Sequence, residues 1–342
     1  MVANKNGLED YADLYDLFEE ESSDGPVEPT QVSFGIASYL AVILLVSLTL
    51  VFSALAIDYK SGDLAVGAPA EGAPPYLIVS MLDVGQGDAI FIRTPDNYTA
   101  LIDGGDRGTE YSPFDGGRDV VLPFLKQQGI EKIDTMIMSH AHSDHVGGLL
   151  EVMENLKVGE VLESGEPYPS GTYKKFLRIV KQKKIKYRKV TDKGFEPVLS
   201  WGKHVFAQVL APKKLSKGTS SDTNNNSVIL YMRYGKTSFL FTGDAESELE
   251  SELIRYGKQL KSTVLKIGHH GSDTASSPRF MKLVNPDYGT IMVGRGNKFG
   301  LPSPTVCEEY IEMGTKLLRT DYNGTIIFVS NGEEVRVYKE RG

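Results

Sequence analysis

The segment TMIMSHAHSDHVGGL places three histidines and an aspartate within six residues: His140, His142, Asp144 and His145. Imidazole nitrogens and carboxylate oxygens are the ligands that a borderline divalent cation such as Zn2+ or Mn2+ takes where it activates water. Alternate residues of an extended loop point the same way, so His140 and His142 can share one ion. Asp144 and His145, at the expected start of a helix, can reach a second. Three of the six histidines of the chain fall in this segment, a clustering that chance placement does not explain. The lone cysteine, Cys307, excludes an internal disulfide and a thiolate metal cluster. The cofactor expected is therefore one or two divalent ions, Zn2+ or Mn2+, on nitrogen and oxygen donors.

Such a loop needs rigid elements on either side. From Tyr76 onward, short apolar runs alternate with helical stretches. YLIVSML, DAIFIRT and TALIDGG read as strands separated by polar turns. A helix near Asp119 to Gln127, a strand from Asp134 to Ser139, a helix from His145 to Asn155 and a strand from Gly159 to Glu163 follow. The second half repeats the pattern, with strands at Val205 to Leu210, Ser227 to Tyr234 and Thr237 to Thr242. A helix at Glu246 to Tyr256 and a strand at Thr263 to Ile267 complete it. This order predicts an α/β domain over 76–342 with two mixed sheets, each covered on one side by helices.

The net charge of −8 is concentrated at one end. The first 33 residues carry nine acids against Lys5 alone, and removing them from 45 acids and 37 bases leaves 36 of each. Residues 1–33 read as an acidic tail, solvated or in part a short amphipathic helix. From Ile36 to Ile57 the chain is apolar without a charge. As a helix that run would extend about 33 Å, the thickness of a bilayer's hydrocarbon. Residues 34–57 are thus expected to be a single transmembrane anchor. Ala54-Leu55-Ala56 resembles an export cleavage site, but the long acidic leader is unlike a basic signal peptide. The Gly/Ala/Pro-rich stretch 58–75 reads as a linker. The expected location is a single-pass membrane protein with its catalytic domain on the extracytoplasmic side.

H-x-H-x-D-H followed by Gly147-Gly148 resembles the signature of the metallo-β-lactamase superfamily, whose fold is a four-layer αββα sandwich. The resemblance continues in LIDGG, FTGDAE and LKIGHHGSD, in that order. It implies that Asp103 braces the metal loop, that Asp244 bridges two metals, and that His269 or His270 supplies a further ligand. The other of these two histidines would then donate a proton to the leaving group. Asp144, His269 and His270 are the catalytic candidates on this reading, and His140, His142, Asp144, His145, Asp244 and His270 the metal ligands. MLDVGQGDAIFI, NNNSVILYMRYGKTSFLFTGDAE and LKIGHHGSDTASSPRFMKLVNPD are similar to the C-terminal soluble domain of ComEC-type competence proteins. That narrower resemblance implies a metal-dependent phosphodiesterase or nuclease, with single- or double-stranded DNA as the partner. Hydrolysis of another anionic ester, such as a phosphocholine ester, and a weakened domain that only binds a metal or a partner are the alternatives.

Two positions depart from the family pattern. Before the TGD strand, where many members have a histidine, this chain reads SSDTNNNS. Asp222 or an asparagine among Asn224 to Asn226 would have to serve there, and Asn225 and Asn226 are the candidate ligand or substrate contacts. Where ComEC-like sequences read Y-G-H-P-H, this chain has Phe299-Gly300-Leu301-Pro302-Ser303. Lys174 to Lys193 holds ten bases against Asp192, with Phe176, Leu177, Val180 and Ile185 left to face the core. It reads first as a solvated helix face and second as a surface for phosphates. His204 reads as a structural histidine of a strand.

Overall fold

The computed structural model describes residues 75–109 and 113–342. The acidic tail, the anchor at 34–57 and the linker, save Pro75, lie outside the described residues. Among the described residues no helix is long and apolar enough to cross a membrane.

The chain first lays down β1 (Leu77–Met81), β2 (Ile90–Arg93) and β3 (Thr99–Ile102) as an antiparallel meander. β4 (Lys132–Ile137), β5 (Lys157–Glu163) and β6 (Lys186–Lys189) then add in parallel. The second sheet holds β7 (Val198–Ser200), β8 (Val205–Ala211), β9 (Ile229–Tyr234) and β10 (Thr237–Phe241) as antiparallel neighbours. Parallel β11 (Val264–Lys266), β12 (Tyr288–Ile291) and β13 (Lys316–Arg319) extend it. The chain returns to the first sheet with β14 (Ile326–Ser330) on β1 and β15 (Val335–Lys339) at its edge. The parallel steps require crossovers, and helices supply most of them. They are α1 (Leu122–Gln127), α2 (Ser143–Val146), α3 (Leu149–Asn155), α4 (Gly171–Gln182), α5 (Ser247–Leu253), α6 (Pro278–Val284), α7 (Pro304–Glu312) and α8 (Thr320–Asn323).

Three apolar layers follow from the period-2 alternation of the strands. In β10, Phe239 and Phe241 enter the layer between the sheets, with Ile92, Met232 and Phe328, while Leu240 faces the other way. Leu240 joins Leu249 of α5, Phe280 of α6 and Tyr310 of α7. On the first sheet, Phe91 and Met136 pack on Leu125, Met153 and Phe176 from α1, α3 and α4. The order helix, sheet, sheet, helix is the expected arrangement. Central strands such as β1 and β10, covered on both faces, are buried throughout.

The basic run departs from a single helix. α4 stops at Gln182, Lys184 turns the chain through a left-handed conformation, and Lys186–Lys189 becomes β6 at a sheet edge. Lys186 and Arg188 both pair with Glu160 on β5, and Lys175 pairs with Glu154. Charges on an exposed edge discourage strand addition, which accounts for much of this run. Phe176 and Val180 are buried as expected, and Leu177 and Ile185 are half-buried.

One close approach ties the metal-type loop to the fold. Gly104, Gly117 and Gly148 meet backbone to backbone, with Gly104 N–H donating to His145 O and Gly148 N–H to Gly105 O, both at 2.9 Å. A methyl at Gly148 would overlap the Gly104 carbonyl oxygen and stand 2.5 Å from the Gly117 nitrogen. Backbone cannot yield as a side chain does. Gly148→Ala should therefore cost about 3 kcal/mol or more in urea denaturation and lower metal content; an unchanged midpoint would contradict this account.

Candidate metal centre

β3 is followed directly by Asp103, a non-glycine residue held at φ +58°. That conformation costs roughly 1–2 kcal/mol. The carboxylate earns its place by bonds on both oxygens: Oδ1 accepts the Ser139 N–H at 2.7 Å and Oδ2 faces His145 Nδ1 at 2.9 Å. Asp103 so fixes the loop leaving β4 and, with Nδ1 as donor, turns His145 Nε2 towards the interior. Ser139 Oγ, 3.1 Å from His140 Nδ1, orients the neighbouring ring in the same sense.

After β11 the chain passes through two successive non-glycine left-handed residues, His269 at φ +46° and His270 at φ +52°. The two rings part. His270 Nδ1 donates to Met292 O at 2.8 Å, leaving Nε2 3.3 Å from Asp244 and 3.4 Å from Asp144. His269 turns aside, its Nδ1 2.9 Å from Thr274 Oγ1 and 3.2 Å from Glu246.

Asp244, at the end of β10, collects the group. Its Oδ2 stands 3.2 Å from His145 Nε2, 3.3 Å from His270 Nε2 and 3.7 Å from His140 Nε2. His140 Nε2 and His142 Nδ1 face each other at 3.0 Å. The donor atoms fall into three sets: His140 with His145 and Asp244, Asp144 with His145 and His270, and, behind these, Asp88 with Asp103 and His145. His145 Nε2, His270 Nε2 and Asp244 Oδ1 are buried without a hydrogen bond. Buried polar atoms seldom go unsatisfied. Converging nitrogen lone pairs and carboxylate oxygens are satisfied by a cation, so the residues present fit a divalent ion or a pair.

Two charged residues behind this group are not signalled by the histidine motif. Lys266 of β11 is fully buried; its Nζ lies 2.6 Å from Asp88 Oδ2 and 3.5 Å from Asp244 Oδ1, and donates to Gly243 O at 2.7 Å. Burial opposes the ammonium, yet Asp88 and Asp244 hold its pKa above the usual lysine value. Asp88 N–H in turn donates to Asp144 O at 3.2 Å, so the pair braces both halves of the donor set.

Other expected residues are occupied elsewhere. Asn225 Oδ1 accepts the N–H groups of Glu246 and Leu249, capping α5. Asn226 Oδ1 accepts the Ser216 N–H and its Nδ2 donates to Ser216 O. The side-chain oxygens of both asparagines are thus engaged by backbone of other segments. Asp222 accepts from Gly218 and Thr219 in its own loop. The residue of this segment that faces His140 is Ser227, whose Oγ lies 3.5 Å from Nδ1 and accepts the Asp244 N–H at 3.1 Å. Ser303 N–H donates to Gly271 O, and Leu301 packs partly into the helix-side core. His204 is exposed beside Asp96 and stands just before β8, correcting its placement within a strand.

Burial lowers the His270 pKa, but Asp244 and Asp144 outweigh it and raise the value from 6.5 to about 10 in the metal-free protein. Its stabilising contribution is fully present below about 6.5 and is lost as pH rises through about 10. A metal must displace that proton. Metal affinity measured against a chelating dye should thus rise between about pH 7 and 10, by up to roughly tenfold per unit for one proton; an affinity flat in pH would contradict the assignment. Lys266→Met leaves Asp88 buried and unpaired and should cost about 3–5 kcal/mol. The double variant Asp88→Asn/Lys266→Met should recover much of that loss in thermal denaturation. His270→Ala should lower bound metal where His269→Ala does not, as read by elemental analysis.

Residues 82–295 match the family model described as "Metallo-beta-lactamase superfamily". The chain is 32% identical over 259 residues to ComE operon protein 3 of Bacillus subtilis (strain 168), covering 72% of this chain and 32% of that protein. It is 28% identical over 267 residues to competence protein ComA of Neisseria gonorrhoeae, covering 76% of this chain and 34% of that one. With recombination protein 2 of Haemophilus influenzae the identity is 29% over 255 residues, covering 74% and 29%. The chain spans about a third of the length of these curated relatives. On the family model and these relatives together, the chain belongs to the metallo-β-lactamase superfamily, as a member of its ComEC type.

Proposed function

We propose that this chain is a metal-dependent phosphodiesterase that cleaves nucleic acid, anchored in a membrane through residues 34–57 with its catalytic domain on the extracytoplasmic side. The observation that carries the reading is the convergence of three imidazole nitrogens on Asp244 Oδ2, two of them buried without a hydrogen bond. Similarity to competence and recombination proteins favours nucleic acid among phosphodiesters.

His140, His142 and Asp244 would hold one ion, and Asp144, His145, His270 and Asp244 a second, with Zn2+ and Mn2+ both compatible with such donors. When bound, divalent ions lower the pKa of a coordinated water and stabilise charge on a phosphoryl oxygen. The chain's own residues do the rest. Asp103 and Ser139 keep His145 and His140 in the tautomers that expose Nε2. Lys266 holds Asp244 Oδ1, which leaves Oδ2 for the donor set. His269, oriented through Nδ1 by Thr274 and Glu246 and with Nε2 3.5 Å from Asn224 Nδ2, would deliver a proton to the leaving oxygen.

A second reading, a domain that binds metal or a partner with little turnover, is favoured by the segment SSDTNNNS, which holds no histidine ahead of the TGD strand. Hydrolysis of a different anionic ester is the remaining enzymatic alternative. The full-length chain, purified in detergent without chelator, discriminates among them. Bound Zn, Mn and Fe are quantified while cleavage of labelled DNA, bis-p-nitrophenyl phosphate and a phosphocholine ester is followed. One or two equivalents of metal, with DNA cleavage that chelator and His142→Ala each reduce at least a hundredfold, roughly the loss of one strong transition-state contact, is expected. Metal without turnover would move the assignment to the binding role, and absence of metal after reconstitution would reject it.

A further inference from the structure

Among the described residues six large apolar side chains are more than a third exposed. Single exposed apolar residues are ordinary. Two of these six, Phe114 and Phe299, are distinguished by where they stand and by what stands beside them.

Phe114, 45% exposed, lies against the turn at Gly85; a methyl on Gly85 would be 3.7 Å from its ring. Two residues on, Gly87 abuts the Asp144 carbonyl, and Asp88 N–H bonds that same oxygen. The opposite side of the turn meets Gly294, whose N–H donates to Gln86 Oε1 at 3.3 Å. From Gly294 the chain runs through Phe299, 60% exposed, and returns at Ser303, whose N–H donates to Gly271 O, one residue past His270. One ring thus stands on a turn that reaches Asp144 two residues further on, and the other on a loop that returns beside Gly271, next to His270. Asn297 sets the second loop: its Oδ1 accepts the N–H groups of Phe299 and Leu301, and its Nδ2 donates to Gly294 O and Leu301 O.

Cations accompany both rings. Lys298 Nζ lies 5.3 Å from the Phe299 ring centre. Gly108 packs on the Phe114 backbone and is preceded by exposed Arg107, while Arg295 follows Gly294. Arg107, Arg295 and Lys298 are exposed, and Arg295 Nε donates to Asp321 O at 3.2 Å. Solvent-facing aromatic rings beside exposed cations suit a chain of flat bases joined by anionic phosphates. A duplex keeps its base faces stacked inside and cannot offer them to a ring.

We propose that Phe114 and Phe299 stack on bases either side of the scissile phosphodiester, with Arg107, Arg295 and Lys298 taking adjoining phosphates, so that this centre selects single-stranded nucleic acid over duplex. The inference rests on the phosphodiesterase reading and adds the residues that choose the form of its substrate. Stacking on one aromatic side chain contributes roughly 5- to 150-fold in affinity, and each phosphate contact adds about 0.7 to the salt slope for a single strand.

The test measures binding of the full-length chain, in chelator so that strands stay intact, to a labelled oligothymidylate, an abasic strand of equal length and a duplex. The parent should bind oligothymidylate most tightly. Phe114→Ala and Phe299→Ala should each weaken that binding by roughly 5- to 150-fold and leave the abasic strand unaffected, while Phe299→Trp retains it. Lys298→Ala should weaken all strands and flatten the salt slope. Because both rings are exposed, the variants should keep the parental Tm and metal content. Equal affinity for the abasic strand, or parental affinity in the double variant, would overturn the proposal while leaving phosphodiesterase activity standing. Metal-loaded protein that neither binds nor cleaves any strand would overturn both.

Discussion

Three imidazole nitrogens and a lysine ammonium converge on one carboxylate, Asp244. The imidazoles approach Oδ2 and the ammonium approaches Oδ1. A buried carboxylate with no such company would be protonated or expelled, because desolvation of an isolated charge is among the largest penalties in a protein interior. Here burial is outweighed by His270, His145 and Lys266, which hold Asp244 well below the ordinary carboxylate range. The division of labour between the two oxygens gives the centre a direction. Lys266 is itself anchored by Asp88 and the Gly243 carbonyl, so the ammonium acts as a fixed stop and not as a mobile counter-ion.

Holding six donors on three loops, with a fourth bracing them through Asp103, demands backbone that ordinary turns do not supply. Asp103, His269 and His270 all sit in the left-handed region, and three glycines meet where the loops cross. Strain of this kind persists only when surrounding structure over-determines it. The two sheets provide that restraint, since β3 and β4 belong to one and β10 and β11 to the other. The centre therefore spans the sheets, and the inter-sheet layer of Phe239, Phe241 and Phe328 keeps its two halves in register.

Much of this was legible because the relevant signals are local. The clustering of His140, His142, Asp144 and His145, and the alternation that gives β1 to β5 and β8 to β11, depend on spacing along the chain. What was not legible depends on approach through space. Nothing in NNN announces that Asn225 caps α5 or that Asn226 braces Ser216; both are buried polar residues whose partners lie in other segments. Lys266 did carry a cue: a lone ammonium in an otherwise apolar strand must be paired if buried. Its partner Asp88 lies 178 positions away, so the pairing itself could not be read. The run of bases was ambiguous for another reason. A charged helix face and a charged sheet edge look alike in composition, and the left-handed turn at Lys184 separates them here.

The two halves of the donor set are unequal in a way that bears on how the centre works. His145 and His270 each have the nitrogen remote from the donor set committed to a firm acceptor, Asp103 Oδ2 and Met292 O, so their rings are locked. His140 is oriented by hydroxyls, those of Ser139 and Ser227, both on its Nδ1 side. His142 is less buried and rests edge-on against Tyr168 at 5.6 Å. Ligands whose rings are locked by outer partners bind more tightly than ligands free to reorient. The half containing Asp144, His145 and His270 is accordingly the preorganised one. The half containing His140 and His142 has fewer protein donors, so an ion held there would leave more of its coordination to solvent.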